Sequence, residues 1–382
     1  MEATILNSRF EKVAIIDRFK SFIWTDRYQE NGDFELYLTL DMDGVFPYLV
    51  NDYYLQNDDS VHMMIIQGML LETNATDGPT IKVIGYSLES LLKRRIIWDN
   101  TTLGGNFQDG IEKLINDAII APSKSERKIS NFIFKKSTDS RITALTIDAK
   151  YEQHENLYEA INSLCVEKQI GFKVTLNENK QFEFELYKGV DRSYAQQLTP
   201  YVVFSPSFEN LNNTSYLDSK EDYANVALTV GEDGDTQTLS GNPLKITKEV
   251  TRDGETQEQL SGMHRCEIYV DAGSITSEDE DHKMSDAERL KVVAQKGKEA
   301  LAEKPHTISM DGDVDPHTMF VYGRDFKMGD VVQIENDYGI KGTSTVSEFI
   351  MSQDSSGETS YPTFTDFVSA DDNSCLLYTS PS

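Results

Sequence analysis

The sequence predicts a mainly β, multi-domain protein in which two small β-barrel-like domains flank an α+β domain. Three observations support this fold class. The chain has 382 residues, which is more than one hydrophobic core usually serves. It carries 18 Tyr and 18 Phe, residue types that favour strands. Finally, the spacing of its apolar residues changes from strand-like to helical and back again along the chain.

Residues 1–100 form the first predicted β-barrel-like domain. In the segment FELYLTL, apolar and polar side chains alternate, as they do in a half-buried strand. Two further apolar segments flank Asp77 and Gly78, a pair that favours the tight turn of a hairpin. Gly68 lies within the first strand of this hairpin and indicates a β-bulge.

Residues 101–196 form the predicted α+β domain. One amphipathic helix follows Asn106, whose side chain suits an N-cap. A second helix spans about residues 156–169, where Asn156 and Glu159 resemble a capping box and Gly171 suits the C-terminal end. We expect the apolar face of this helix to bury Cys165. The segments FKVTL and QFEFELY then alternate around a polar turn, which predicts a hairpin with one apolar side.

Residues 197–368 form the second predicted β-barrel-like domain, with a helix inserted near residues 285–303. Ser285 and Glu288 have the spacing of a capping box at the start of that helix. Residues 231–242 are rich in Gly, Asp, Ser and Thr, and they predict an exposed loop.

We expect no leader at the start of the chain and no packed element at its end. The start lacks a basic segment followed by an apolar run, and no stretch approaches the roughly 20 apolar residues of a membrane span. We therefore expect no secretion signal and no membrane insertion by this chain. Residues 369–382 have no periodicity, and we interpret them as an unstructured, non-native tail, an appended or read-through segment.

The charge balance excludes tight binding to nucleic acid or to an anionic membrane. Asp and Glu number 64 against 36 Lys and Arg, which gives a formal net charge of -28. Phosphates are neutralised by Lys and Arg. DNA that comes near this protein is therefore expected to be repelled.

No metal or cofactor site is predicted. The three cysteines are Cys165, Cys266 and Cys375. They are too few and too scattered for a disulfide framework or a paired zinc site. Asp311, Asp313 and Asp315 are spaced like the start of a calcium loop, but Pro316 stands where the turn glycine should be. The six histidines include no HExxH, and we expect them to be exposed or singly hydrogen-bonded.

No catalytic residue is predicted either. The segment GYSLE around Ser87 begins like a nucleophile elbow, but Glu89 replaces the second glycine and Ser87 is better interpreted as a helix cap. Gly104 and Gly105 precede a helix without the lysine of a phosphate-binding loop. Sequence alone cannot place two of the many carboxylates at a hydrolytic separation. We therefore expect no enzymatic activity.

Two basic spots contrast with the acidic background. One combines Lys93, Arg94 and Arg95 with Trp98, and the other is Arg192. Such clusters are mostly solvated or salt-bridged, but arginines beside aromatic rings are also common anchors of protein interfaces. Arg94, Arg95, Trp98 and Arg192 are therefore candidate assembly residues.

The sequence contains seven longer motifs, AIIDRFKSFIWTDRYQENGDFELYL, GYSLESLLKRRIIW, GNFQDGIEKLIND, ENLYEAINSLCVEKQIGFKV, YKGVDRS, VVFSPSFENL and YGRDFKMGDVVQI. Together they resemble one family of siphophage tail proteins, the Gp37-like family, which is related to baseplate hubs and to the N-terminal regions of tail-associated lysins. The motifs occur in the order that the family shows, and the resemblance spans essentially residues 5–366. The first of them adds Trp24 and Arg27 to the candidate assembly or motif residues.

This resemblance implies a baseplate-hub-like fold and a structural role in the virion. In related hubs a trimeric ring, with two barrel-like domains per subunit, adapts to the sixfold tail tube and closes it. The implied partners are two further copies of the chain, the distal tail protein, and tail-tube or tape-measure proteins. DNA would pass through without specific binding, and assembly would take place in the host cytoplasm. The resemblance leaves contact with the host cell surface open.

Two other functions remain as alternatives. One is a cell-wall (peptidoglycan) hydrolase, and the other is a receptor-binding module of the tail tip that recognises a host saccharide. A saccharide site requires exposed aromatic rings on its surface. The chain has only Trp24 and Trp98, and we expect both to pack inside the protein because they lie within the motifs above.

Overall fold

The computed structural model describes residues 1–39, 44–74, 78–232, 245–273, 278–279, 282–283, 285–315 and 318–369. Asp77, most of the predicted loop 231–242 and nearly all of the predicted tail 369–382 lie outside the described residues. Strands hold 45% of the chain and helices 19%. The predicted mainly β fold with α+β character is therefore confirmed.

The elements of the N-terminal part are β1 (Ala3–Leu6), β2 (Lys12–Ile16), β3 (Ser21–Arg27), β4 (Asp33–Thr39), β5 (Tyr54–Asn57), β6 (Met63–Asn74) and β7 (Gly78–Ser87), with 3-10 helices at Phe46–Tyr48 and Leu88–Arg94. The register between β6 and β7 shifts between Ile66 and Gly68. The bulge that Gly68 predicted is therefore confirmed.

The elements of the middle part are β8 (Thr101–Asn106), α1 (Phe107–Ile115), a π-helix (Asn116–Ile120), a 3-10 helix (Ser125–Arg127), β9 (Phe132–Lys135), α2 (Ser140–Thr143), β10 (Thr146–Tyr151), α3 (Leu157–Glu167), β11 (Gly171–Leu176) and β12 (Phe182–Tyr187). Strands β11 and β12 form the predicted hairpin, and β9 adds to β12 in parallel. The side chains of Asn106 and Asn156 cap α1 and α3.

The elements of the C-terminal part are β13 (Val203–Phe204), β14 (Leu211–Ser219), β15 (Val226–Glu232), β16 (Lys245–Thr251), β17 (Glu267–Ala272), β18 (Glu278–Asp279), β19 (His282–Lys283), α4 (Asp286–Ala302), β20 (Thr307–Val314), β21 (Val331–Glu335), β22 (Lys341–Asp354) and β23 (Gly357–Ser369), with 3-10 helices at Pro206–Phe208 and Gly262–His264. The capping box of Ser285 and Glu288 is present at the start of α4. Helix α4 packs on the small sheet β16-β15-β17.

One large sheet joins the two ends of the chain. It has 11 strands in the order β13-β21-β22-β3-β4-β7-β6-β5-β1-β2, and β23 also pairs with β22. Strands β3 and β22 are antiparallel, with Trp24 opposite Met351. Because β13 and β2 are the two ends of this path, the described strands form no closed barrel. The domain boundaries near residues 100 and 197 stay a prediction.

The core under this sheet combines residues from both ends of the chain. Phe22, Trp24 and Phe34 pack in one hydrophobic cluster with Phe349 and Phe364. A second cluster lies between the helices and strands of the middle part and includes the fully buried Cys165. The helix face that predicted burial of Cys165 is therefore confirmed.

The sequence predicted that Gly171 ends the second helix, but the structure gives this residue a different role. Helix α3 ends at Glu167, Gln169 takes the left-handed conformation with φ 53°, and Gly171 begins β11. A Cβ atom at Gly171 would lie 2.2 Å from the ring of Tyr28. Glycine is therefore required here because the main sheet and the α+β unit approach each other closely.

In the part of the chain that the structure describes, no helix combines the length and the apolar character needed to cross a membrane.

Candidate functional site

Trp24 is a core residue. Its side chain is fully buried, stacks on Phe34 and meets Phe22 edge-on. The indole Nε1 donates a hydrogen bond of 2.9 Å to Oδ1 of Asp26. A buried indole usually needs such an acceptor. The packing that the sequence predicted for Trp24 is therefore present, and its ring is not available at the surface of the monomer.

Arg27 connects N-terminal and C-terminal strands of the main sheet through ion pairs. Its guanidinium pairs with Asp33 on β4 and, through Nε at 2.6 Å, with Oε1 of Glu348 on β22. Its side chain is about a quarter exposed. Arginine suits this position because its rigid fork can bind two carboxylates at once. The fork spans three neighbouring strands of the main sheet.

Arg192 is also held inside the monomer. Its Nε donates a 2.6 Å hydrogen bond to Oδ2 of Asp330, and the two side chains are only 15% and 3% exposed. Oδ1 of Asp330 accepts a further hydrogen bond of 2.7 Å from the backbone nitrogen of Val190. This contact fixes the chain between β12 and β13 against the start of β21.

The basic cluster at residues 93–95 is bound at each position. Nη2 of Arg94 lies 2.7 Å from Asp52, and Nε of Arg95 donates to the carbonyl oxygen of Arg127 at 3.1 Å. Nζ of Lys93 lies 4.4 Å from the ring centre of Tyr158. Only Arg94 keeps a guanidinium that is substantially exposed, at 41%. It is the arginine best placed to reach a partner.

Trp98 does not pack inside the protein as the sequence predicted. Its side chain is 40% exposed, because it follows β7 and its 3-10 helix on a segment that crosses the surface of the α+β unit. Arg127 and Lys124 lie over the ring at 4.6 and 4.9 Å. The indole also borders a cleft of about 320 Å³.

A buried polar network, which no motif in the sequence indicated, lies where the main sheet meets the α+β unit. His62 belongs to this network and is only 5% exposed, so it is not one of the exposed histidines that the sequence allowed. Its Nδ1 lies 3.2 Å from Oε1 of Glu89. That same oxygen accepts a 2.7 Å hydrogen bond from the backbone nitrogen of Val174 on β11. Glu89 therefore links the main sheet to the α+β unit.

The charges in this network stabilise one another. Burial disfavours the protonated form of His62, but the carboxylates of Asp26 and Glu89 outweigh burial and raise the pKa of His62 to about 9. Burial likewise disfavours ionisation of Glu89, but His62 and the bond from Val174 hold the pKa of that carboxyl below its ordinary value. The result is a buried ion pair.

Ser87 occupies the predicted helix-cap position, but its side chain makes no capping hydrogen bond. It is the N-cap residue of the 3-10 helix Leu88–Arg94, with extended backbone, and its side chain is fully buried. Glu89, which excluded a nucleophile elbow, is the acid of the buried network. Asp311 and Asp313 lie on β20, and Asp313 accepts a hydrogen bond from Asn213. Among the residues whose positions are described, no three His, Cys, Asp or Glu side chains are grouped to hold a metal.

The hairpin of β6 and β7 exposes an apolar edge. Strand β5 pairs only with Met63–Ile65 of β6. In the described chain, residues 67–74 have a strand neighbour on one side only, namely β7. Met69, Leu70 and Leu71 on this edge are 40%, 50% and 52% exposed. Three consecutive apolar residues of a strand point to both faces of it, so both faces of the hairpin are apolar here.

The fold is that of phage tail proteins. A tail protein from Neisseria meningitidis MC58 matches with a TM-score of 0.53 and 12% identity, over 95% of this chain and 96% of that chain. A prophage tail protein from Listeria monocytogenes EGD-e matches with a TM-score of 0.51 and 10% identity, over 96% and 94%. The MuSo2 prophage 43 kDa tail protein from Shewanella oneidensis gives 0.52 and 10%, over 96% and 98%.

The chain belongs to the family of siphovirus ReqiPepy6 Gp37-like proteins, which matches residues 2–364. The family resemblance that the motifs predicted is therefore confirmed, and with it the class of siphovirus tail proteins. A search of curated proteins finds no match to this chain.

Proposed function

We propose that this protein is a structural subunit of the baseplate hub, which closes the tail tube at the phage tail tip. Three copies would form a ring around the channel through which DNA leaves. The observation that carries this proposal is the combination of a tail-protein fold with an open apolar strand edge on β6. In this role the protein forms part of the channel wall and contacts its neighbours, and it needs no catalytic groups.

The edge of β6 favours self-association. An exposed, apolar strand edge offers unpaired backbone groups as well as apolar side chains to another chain. Soluble monomers rarely keep such surface uncovered. We propose that Met69, Leu70 and Leu71 lie in the contact between subunits of the ring. Arg94, whose partner Asp52 is hydrogen-bonded to Ile66 of β6, is proposed as a further polar contact. A head-to-tail contact of this kind closes into a ring when its rotation is 120°, since three copies complete a turn.

Light scattering on the purified chain tests this contact. We expect a trimer for the parent protein and a monomer for the double variant Leu70→Glu/Leu71→Glu, because two charges would replace apolar contact area. Thr73→Glu is a matched control, since Thr73 is exposed further out on the same strand, and it should leave the trimer intact. A parent protein that stays monomeric at assembly concentrations contradicts the proposal.

The net charge of -28 suits a conduit through which DNA slides without sticking, because like charges repel the phosphate backbone. We propose that acidic residues line the channel of the ring. A mobility-shift measurement should detect no DNA binding at physiological salt. A solved trimer in which every acidic side chain lies outside the channel contradicts this part of the proposal.

We propose that the partners in the virion are the distal tail protein and tail-tube or tape-measure proteins, and that the hub assembles in the host cytoplasm. A non-enzymatic role also agrees with the residues of the site, which are engaged in packing and ion pairs. A turbidity assay on purified peptidoglycan checks this directly. Lysis that disappears when one carboxylate is changed favours the hydrolase alternative instead.

A further inference from the structure

The cleft beside Trp98 has the composition of a small ligand site. Its volume of about 320 Å³ is at the lower end of the roughly 300–1,000 Å³ typical of small-molecule pockets. Both apolar and polar residues line it. The apolar residues are Ile97, Leu114, Ala118 and Ala121, and the polar residues are Asp99, Thr101, Asp117 and Ser123.

Trp98 is one of the residues that line this cleft. Lys124 and Arg127 lie over its ring, yet neither residue lines the cleft. The two cations leave part of Trp98 uncovered. Since Trp24 is fully buried and Trp98 is 40% exposed, Trp98 is the indole that can meet a ligand.

A π-helix contributes two residues to the lining of the cleft. The turn Asn116–Ile120 follows α1, and the backbone nitrogen of Ala121 closes it by donating to the carbonyl oxygen of Asn116 at 2.8 Å. Asp117 and Ala118 lie on this turn and line the cleft. A π-turn is rare, and such turns are found frequently at functional sites. It places a carboxylate beside a small apolar side chain at the cleft wall.

We propose that this cleft binds one ring of a neutral saccharide. An indole face packs against the C–H groups of a sugar ring, while carboxylate and hydroxyl groups bond to its hydroxyls. Asp99 and Asp117 disfavour an anion. A cation is also disfavoured, because Asp117 is already paired with Lys113 at 3.1 Å and two cations lie over Trp98. The site is independent of the ring contact on β6.

Intrinsic fluorescence of the full chain provides the test. D-glucose, D-galactose and N-acetyl-D-glucosamine are titrated separately, up to about 100 mM each. At least one of them should change the emission of Trp98 with saturation, at a Kd of about 1–10 mM, as expected for a ligand of this size. The buried Trp24 should contribute a constant background.

Two variants locate the binding. Ser123→Arg places a long side chain in the cleft and should weaken binding about tenfold or more. Ser125→Arg is the matched control, since Ser125 lies on the adjacent 3-10 helix outside the cleft lining, and it should bind like the parent. Should circular dichroism show that Ser123→Arg is misfolded, Asp99→Asn replaces it, with an expected loss of about fivefold from one weakened hydrogen bond.

Three results would overturn the proposal. The first is the absence of a saturable change with all three sugars. The second is equal affinity in the parent and in the cleft variant. The third is a parent trimer in which Trp98 is shielded from a neutral quencher, acrylamide, because the cleft would then be covered by a subunit. Light scattering reports the oligomeric state separately, so failure of the ring and failure of the cleft are distinguishable.

Discussion

At the scale of single residues, His62 and Glu89 show how a charge can be kept inside a protein. Each has the other as counter-ion, and Glu89 also accepts the hydrogen bond from Val174. The carboxylate of Asp26 also raises the pKa of His62, whereas the positive charge of Lys173 lowers it. A buried charge is costly when unpaired, so the network is stable only while its members stay together.

Removing one partner should destabilise the fold. Glu89→Gln leaves His62 with a weaker counter-charge, and we expect the free energy of unfolding to fall by about 3 kcal/mol or more. Denaturation with urea measures it. Asp52→Asn breaks the exposed pair with Arg94 and serves as the control, with an expected change of about 0.5 kcal/mol or less. Equal losses of stability in the two variants would show that the buried pair contributes no more than the exposed pair.

Stability should also depend on pH through His62. Its pKa is raised from 6.5 to about 9 in the folded protein, so its protonation stabilises the fold fully below pH 6.5. As the pH rises from there through about 9, this contribution of about 3 kcal/mol is lost. Glu89 acts in the opposite direction, since its pKa is lowered and its contribution is lost as the pH falls below about 4.5.

Urea denaturation at several pH values between 6 and 10 measures the His62 contribution. His62→Gln removes the titrating group, and the free energy of unfolding of this variant should vary less over that range. A variant that loses as much stability as the parent between pH 6.5 and 9 would assign the dependence to other groups.

At the scale of elements, the features that depend only on neighbouring residues were predicted correctly from the sequence. The two helix caps, the capping box of α4, the bulge at Gly68 and the β11–β12 hairpin follow from neighbouring residues, and all are present. The parallel addition of β9 to β12 was missed, because about 50 residues separate the partners. The role of Gly171 was missed because glycine is required there by the ring of Tyr28, which follows β3 far away in the sequence.

The cap of α3 can be tested by one change. The side chain of Asn156 accepts hydrogen bonds from the backbone nitrogens of Tyr158 and Glu159. Asn156→Ala should lower the free energy of unfolding by about 1 kcal/mol, since two backbone donors lose their acceptor. Asn156→Asp keeps the acceptor and should stay close to the parent. An alanine variant as stable as the aspartate variant would show that the cap contributes nothing.

At the scale of the whole molecule, the pairing of β3 with β22 brings together residues more than 300 positions apart. The alternation in each strand predicted its buried face, but not which distant strand lies beside it, because every buried strand shows the same period. Arg27 was selected as a motif residue, and only the structure shows that it pairs with Glu348 on that neighbouring strand. The burial of His62 and the exposure of Trp98 were missed for the same reason, since the neighbours of both side chains come from other elements.

The proposed hub depends on this continuous sheet, which gives the chain a rigid wall with one apolar edge left open. Cryo-electron microscopy of intact virions tests that proposal most directly. It should show three copies of this chain in a ring on the tail axis, with Met69, Leu70 and Leu71 of each copy in contact with the next. Particles that lack the chain, or that carry it away from the axis, would contradict the proposal.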